Sequence, residues 1–119
     1  MAKILLVDDN EDIRRLCGHL LRKQGHDVLL ALDGEDALRH ATRDNPDLVI
    51  MDINLPGENG LTAMGRLLKR RRVPVIIFTA FPTYKQEMLS WAADDFVVKS
   101  PDLAELKHAV ARILERSQN

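Results

Sequence analysis

The feature that most constrains this chain is an alternation. Short apolar runs occupy positions 4–7, 28–31, 48–51, 75–78 and 96–98, and segments with helical spacing separate them. An apolar run of this length suits a strand buried on both faces, as in a parallel sheet. Ile13, Leu16, Cys17, Leu20 and Leu21 predict the inward stripe of a first helix, and Gly25 stands where that helix should stop. Ala37, Leu38 and Ala41 predict a second helix over roughly 33–43. Leu61, Met64, Leu67 and Leu68 mark a third, and Leu103, Leu106, Val110, Ile113 and Leu114 a last. A fourth, roughly 83–92, carries the weakest pattern. Strands alternating with helices in this way require right-handed crossovers, so the expected class is α/β: a five-stranded parallel sheet with helices on both faces.

With 119 residues the chain is expected to form one domain, 1–119, large enough for a core without disulfides or a structural metal. Seventeen basic against eighteen acidic residues give a net charge of -1, so no global field draws it to nucleic acid or to a membrane surface. One cysteine, Cys17, excludes an internal disulfide and fits a reducing compartment. The first apolar run is cut short by Asp8 and Asp9, too soon for a signal peptide or a membrane span. The expectation is a cytoplasmic protein without membrane or direct nucleic-acid contact.

In open α/β sheets, sites form beyond the carboxyl ends of the strands. The residues that follow the apolar runs are therefore the ones to weigh. Asp8 and Asp9 follow the first run, Asp52 the third, Thr79 and Ala80 the fourth, and Lys99 the fifth. Taken singly, a carboxylate after a strand is as readily a helix N-cap or a turn residue, and a lysine a solvated surface group. Jointly they would share one sheet edge. Three clustered carboxylates repel one another, and a proton or a cation relieves that repulsion. An oxygen-only set with room for water suits Mg²⁺. Lys99 adds a mobile positive charge and Thr79 a hydroxyl donor, so the set matches what phosphoryl transfer to an aspartate needs.

Four segments carry a resemblance: Val7-Asp8-Asp9-Asn10, Met51-Asp52-Ile53-Asn54-Leu55-Pro56-Gly57, Phe78-Thr79-Ala80 and Asp94-Asp95-Phe96-Val97-Val98-Lys99. Together they resemble the motifs of response-regulator receiver domains of two-component signalling, over most of the chain. The resemblance implies a flavodoxin-like fold with strand order 2-1-3-4-5. It implies that Asp52 takes a phosphoryl group from a histidine kinase or histidine phosphotransfer protein. Asp8, Asp9 and Asp52 would hold Mg²⁺, with the Asn54 main-chain carbonyl completing the protein ligands. Thr79 and Lys99 would contact the phosphoryl oxygens, and Phe96 would be the switch aromatic that turns inward as Thr79 moves. The surface of helix 4, strand 5 and helix 5 would then be read by a downstream protein target or by a second copy in a phosphorylation-dependent dimer. Such a protein is a switch, not an enzyme acting on an outside substrate, and stands alone or forms part of a longer regulator.

The chain departs from the family pattern in places. Ser100 follows Lys99 where proline in a cis bond is usual, and Pro101 comes one later, suited to the first turn of the last helix. A cis bond before serine costs about 3–4 kcal/mol, so either the surroundings enforce it or the loop takes another path. Ala92 replaces a common glycine, and Asn59-Gly60 stands where Asp-Gly is frequent. Phe81, two residues after Thr79, is expected either to hinder water attack on a phosphoryl group or simply to pack its loop. At least one of Tyr84 and Trp91 is expected to pack against the sheet, with an anchor for a partner or a second copy as the alternative. The basic run Lys69-Arg70-Arg71-Arg72 reads as a solvated helix C-terminus at the end opposite the acids. His19, His26, His40 and His108 show no metal spacing.

Two other chemistries compete. A phosphatase of the haloacid-dehalogenase kind wants Asp-x-Asp after its first strand, where this chain has adjacent Asp8-Asp9. A flavin module wants a Gly/Ser/Thr-rich phosphate loop there, and the run from Asp8 through Asp12 would repel phosphate. A degenerate receiver that keeps only the fold would have no need of the complete acidic set.

Overall fold

The computed structural model describes residues 2–80 and 93–117. The helix expected near 83–92 and the readings placed on Phe81, Tyr84, Trp91 and Ala92 lie outside the described residues. The elements run β1 (Lys3–Val7), α1 (Glu11–Lys23), β2 (Asp27–Ala31), α2 (Gly34–Asp44) and β3 (Leu48–Met51). A two-residue pair follows, β4 (Asn54–Leu55) and β5 (Glu58–Asn59), then α3 (Gly60–Arg70) and β6 (Val75–Thr79). β7 (Asp95–Val98) and α4 (Ala104–Ser117) complete the described chain.

The main sheet is parallel with order β2-β1-β3-β6-β7. This is the order 2-1-3-4-5 implied by the family resemblance, because β4 and β5 form a small sheet of their own. Register decides what meets at the edge: Val7 lies opposite Met51 and Ala31, Met51 opposite Ile77, and Thr79 opposite Val98. Asp8 and Asp52 each stand one residue beyond an aligned pair, as Lys99 does beyond Val98.

Side chains alternate across the pleat and make two cores. Leu5, Val7, Val49, Met51, Val75 and Ile77 pack with Ala37, Met64 and Leu67 of α2 and α3. Ile4, Leu6, Leu48, Ile50, Ile76 and Phe78 pack with Cys17 and Leu21 of α1 and with Leu106, Val110 and Ile113 of α4. Burial pushes the Cys17 thiol up to about 11, with the Asp8 charge adding to the rise, so it stays an inert thiol. Leu16 was expected on the inward stripe, yet it is 51% exposed. At 100° per residue the face that holds Cys17 and Leu21 turns Leu16 past its rim.

Caps fix the ends. Asn10 opens α1 and its side chain accepts the Ile13 N–H, while Asp33 does the same for Asp36 at α2. α1 stops at Gly25, whose φ of 94° is left-handed. There the Gly25 N–H donates to the Arg22 carbonyl and the His26 N–H to the Leu21 carbonyl, the paired bonds of a Schellman end. The basic run closes α3, and Arg71 also donates to the Pro46 carbonyl at 2.6 Å. The peptide before Ser100 is trans, so the loop takes the other path. Pro101 precedes α4 instead of entering its first turn, and Asp102 Oδ1 accepts the Ala104 N–H at 2.9 Å. Among the described residues no helix is long and apolar enough to cross a membrane.

Candidate functional site

Each strand hands over its last ladder bond at the carboxyl edge. The Asp8 N–H donates to the Ala31 carbonyl at 3.1 Å, that of Asp52 to Val7 at 3.0 Å, and that of Lys99 to Thr79 at 2.8 Å. These bonds hold the backbone while the side chains gather above the edge. Carboxylate oxygens of Asp8, Asp9 and Asp52 lie within 4.8 Å of one another. Asp8 and Asp52 are only 1% and 5% exposed, whereas Asp9 is open to solvent.

Lys99 reaches into the cluster. Its Nζ stands 2.6 Å from Asp8 Oδ2 and 3.0 Å from Asp52 Oδ2. The hydrogen bond is aligned on Asp52; Asp8 Oδ2 is buried without an aligned donor. Asp8 Oδ1 accepts the Asn10 N–H at 2.9 Å, and Asp52 Oδ1 the Asn54 N–H at 3.3 Å. Lys99 Nζ also lies 5.7 Å from the centre of the Phe78 ring.

The electrostatics follow from three acids facing one ammonium. Burial pushes the Asp8 carboxyl above its ordinary value, and the Asp52 charge adds to that; Lys99 and the Asn10 N–H pull the other way without cancelling it. Burial alone would lower the Lys99 ammonium, but contact with Asp8 and Asp52 outweighs it and the net shift is upward. The cluster is short of positive charge. Its donors are all oxygens, one of them a buried atom without an aligned hydrogen bond, and that set fits a hard divalent cation such as Mg²⁺.

The other residues singled out in the sequence take distinct places. Thr79 is fully buried at the end of β6, its carbonyl bonded to the Lys99 N–H. Asn54 is exposed on β4, two residues past Asp52. Phe96 sits on β7, partly buried against the core of α2 and α3. Three supports escaped the sequence reading. Arg14 Nη1 donates to the Asp8 carbonyl at 2.8 Å. Gly60 lies against the backbone after β3: a Cβ there would come 2.0 Å from the Asp52 carbonyl oxygen. Glu58 and Arg66 pair at 2.5 Å, tying the small hairpin to α3. Asn59-Gly60 just ahead of a helical stripe was the one cue to the second of these. A groove of about 460 Å³ between α2 and α3, lined by Glu35, Leu38, Arg39, Arg43, Arg66 and Arg70 among others, does not include Asp8, Asp9 or Asp52.

Comparisons with known proteins agree with this geometry. The family profile described as response regulator receiver domain matches residues 4–111. The alkaline phosphatase synthesis transcriptional regulatory protein PhoP of Bacillus subtilis is 35% identical over 119 residues, which is 98% of this chain and 50% of that protein. A probable transcriptional regulator, ycf27, of Porphyridium aerugineum is 36% identical over 96% of this chain and 48% of that protein. The chain thus spans about half the length of the curated relatives it matches. Among solved structures, the response regulator TrrA of Thermotoga maritima in complex with Mg²⁺-BeF superposes with a TM-score of 0.89 at 40% identity, covering 95% of this chain and 99% of that one. TrrA in complex with the histidine kinase ThkA gives 0.87 at 42%, covering 96% and 99%. On the profile match and these relatives, the chain belongs to the response-regulator receiver domains.

Proposed function

We propose that residues 1–119 form one receiver domain in which Asp52 accepts a phosphoryl group from the phosphohistidine of a histidine kinase or histidine phosphotransfer protein. The observation that carries this reading is Asp52 itself: a buried carboxylate at the sheet edge, with Asp8 and Asp9 within 4.8 Å and Lys99 on its Oδ2. Asp8, Asp9 and Asp52, with the Asn54 carbonyl, would hold Mg²⁺. When bound, the ion supplies positive charge against the phosphoryl oxygens. An Asp52 carboxylate oxygen attacks phosphorus; the P–O bond forms as the P–N bond to the donor imidazole breaks, and the imidazole nitrogen takes up a proton. Lys99 then exchanges its Asp52 partner for a phosphoryl oxygen, and the Thr79 hydroxyl donates to another. Movement of Thr79 vacates space that Phe96 can enter, which would alter the outer face of β7 and α4.

In this reading the domain is a switch and not an enzyme with an outside substrate. It works in the cytoplasm without membrane or direct nucleic-acid contact, and its output is a downstream protein or a second, phosphorylated copy. Support for the donor class comes from the TrrA–ThkA complex, and support for the metal from the TrrA structure with Mg²⁺-BeF. The test is label transfer from a ³²P-labelled histidine kinase transmitter domain. The wild-type chain should acquire label in Mg²⁺ and lose the capacity in a chelator, and Asp52→Ala should acquire none. Equal labelling of Asp52→Ala would overturn the assignment.

A further inference from the structure

We propose that Arg14 is a positioning residue for the metal-binding loop, a role that rests on the reading of Asp8 and Asp9 as Mg²⁺ ligands. Where β1 leaves the sheet, the Asp8 carbonyl has no strand partner among the described residues, and a buried carbonyl must be satisfied somehow. The Arg14 guanidinium, one turn into α1, supplies the bond at 2.8 Å. Charge-assisted bonds of this kind are stronger than neutral ones and fix direction as well as distance. The acidic loop is then pinned at three points. The Asp8 N–H is held by Ala31, its carbonyl by Arg14, and its Oδ1 by the Asn10 N–H. What stays free of an aligned donor is Asp8 Oδ2, the atom that faces Lys99 and Asp52. Asp9 is the unpinned ligand: it is exposed, so the path of the main chain between Asp8 and the Asn10 cap governs where its carboxylate stands.

Arg14 touches neither a carboxylate ligand atom nor the attacking oxygen, so its removal should loosen metal binding while leaving the chemical step nearly intact. Partners that orient a metal ligand are commonly worth about 10–100-fold in affinity. Arg15 provides the control. It is the next residue on the same helix, exposed, and pairs only with Glu11 at 2.9 Å among the described residues.

The experiment titrates the full chain with Mg²⁺ by isothermal calorimetry, for wild type, Arg14→Ala, Arg14→Lys and Arg15→Ala. Phosphorylation by acetyl phosphate at saturating Mg²⁺ is measured alongside. The expected result is a Kd for Mg²⁺ raised about tenfold in Arg14→Ala, partly restored in Arg14→Lys and unchanged in Arg15→Ala. The rate at saturating metal should stay within about twofold of wild type. If Arg14→Ala fails to fold, Arg14→Lys and Arg14→Gln carry the comparison, since both keep a donor but lose the fork. A Kd equal to wild type in folded Arg14→Ala, or in Arg14→Gln should Arg14→Ala not fold, would overturn the proposal and leave the phosphoacceptor reading standing. Equal weakening by Arg15→Ala would reduce the effect to general stability and overturn it too. Absence of Mg²⁺ binding by the wild type would instead bring down the reading on which the proposal rests.

Discussion

Asp8 shows at a single residue how the proposed metal-ligand role and stability oppose each other. Its carboxyl is buried beside Asp52, and the pKa lies above the ordinary value despite Lys99. A raised pKa means the folded state favours the protonated form. Stability from that preference is present at low pH and lost as pH rises through the folded value. At neutral pH the ionised Asp8 is therefore a cost that a cation relieves. Asp8→Asn should raise the thermal midpoint by a few degrees at pH 7 without divalent ions, because Lys99 keeps Asp52 as a partner. The difference should shrink at acidic pH, and added Mg²⁺ should stabilise the wild type alone; calorimetric melting checks all three. Asp8, Asp9, Asp52 and Lys99 were legible because each stands at the end of an apolar run, Asp9 one residue further on than the others. Arg14 was not. A guanidinium that seeks a main-chain carbonyl leaves no trace in residue pattern until the path of the loop is known.

At the scale of elements, the junction between β3 and α3 decides how steadily Asp52 is held. Asn59 caps α3 by accepting the Leu61 N–H at 2.7 Å, and the Gly60 N–H donates to the Ile53 carbonyl at 2.5 Å. The first residue of the helix thus lies directly on the backbone that carries Asp52. A methyl group at Gly60 would collide with main-chain atoms, which cannot rotate away as a side chain can. Gly60→Ala should therefore destabilise the domain by about 1–3 kcal/mol, the usual size of an overpacking defect, read from urea unfolding midpoints. It should also slow phosphorylation by displacing Asp52. The five strands of the main sheet were legible in the sequence because an apolar run of three or four residues between helical segments has few other uses. The β4–β5 hairpin was not, since two-residue strands carry no period; Pro56-Gly57, with φ of 78° on the glycine, is its only local mark. Leu16 was misread because a stripe of apolar residues does not tell its centre from its rim.

Across the whole molecule, one acid cluster and one basic run stand at opposite ends of the sheet. The acids stand at the carboxyl edge of the sheet, while Lys69, Arg70 and Arg71 close α3 at the other, although the net charge is only -1. Strand order was legible only through the family resemblance of the four motifs; the acid cluster itself speaks for one pairing, that of the first and third strands. Everything at this edge converges on Asp52 as the acceptor of a phosphoryl group. The most direct measurement is intact-protein mass spectrometry after incubation with acetyl phosphate, followed by peptide mapping of the modified position. With Mg²⁺ the wild type should gain the mass of one phosphoryl group, on the peptide containing Asp52, and show no gain when the metal is chelated before the donor is added. A gain that persists in Asp52→Ala, or that needs no divalent ion, would contradict the account.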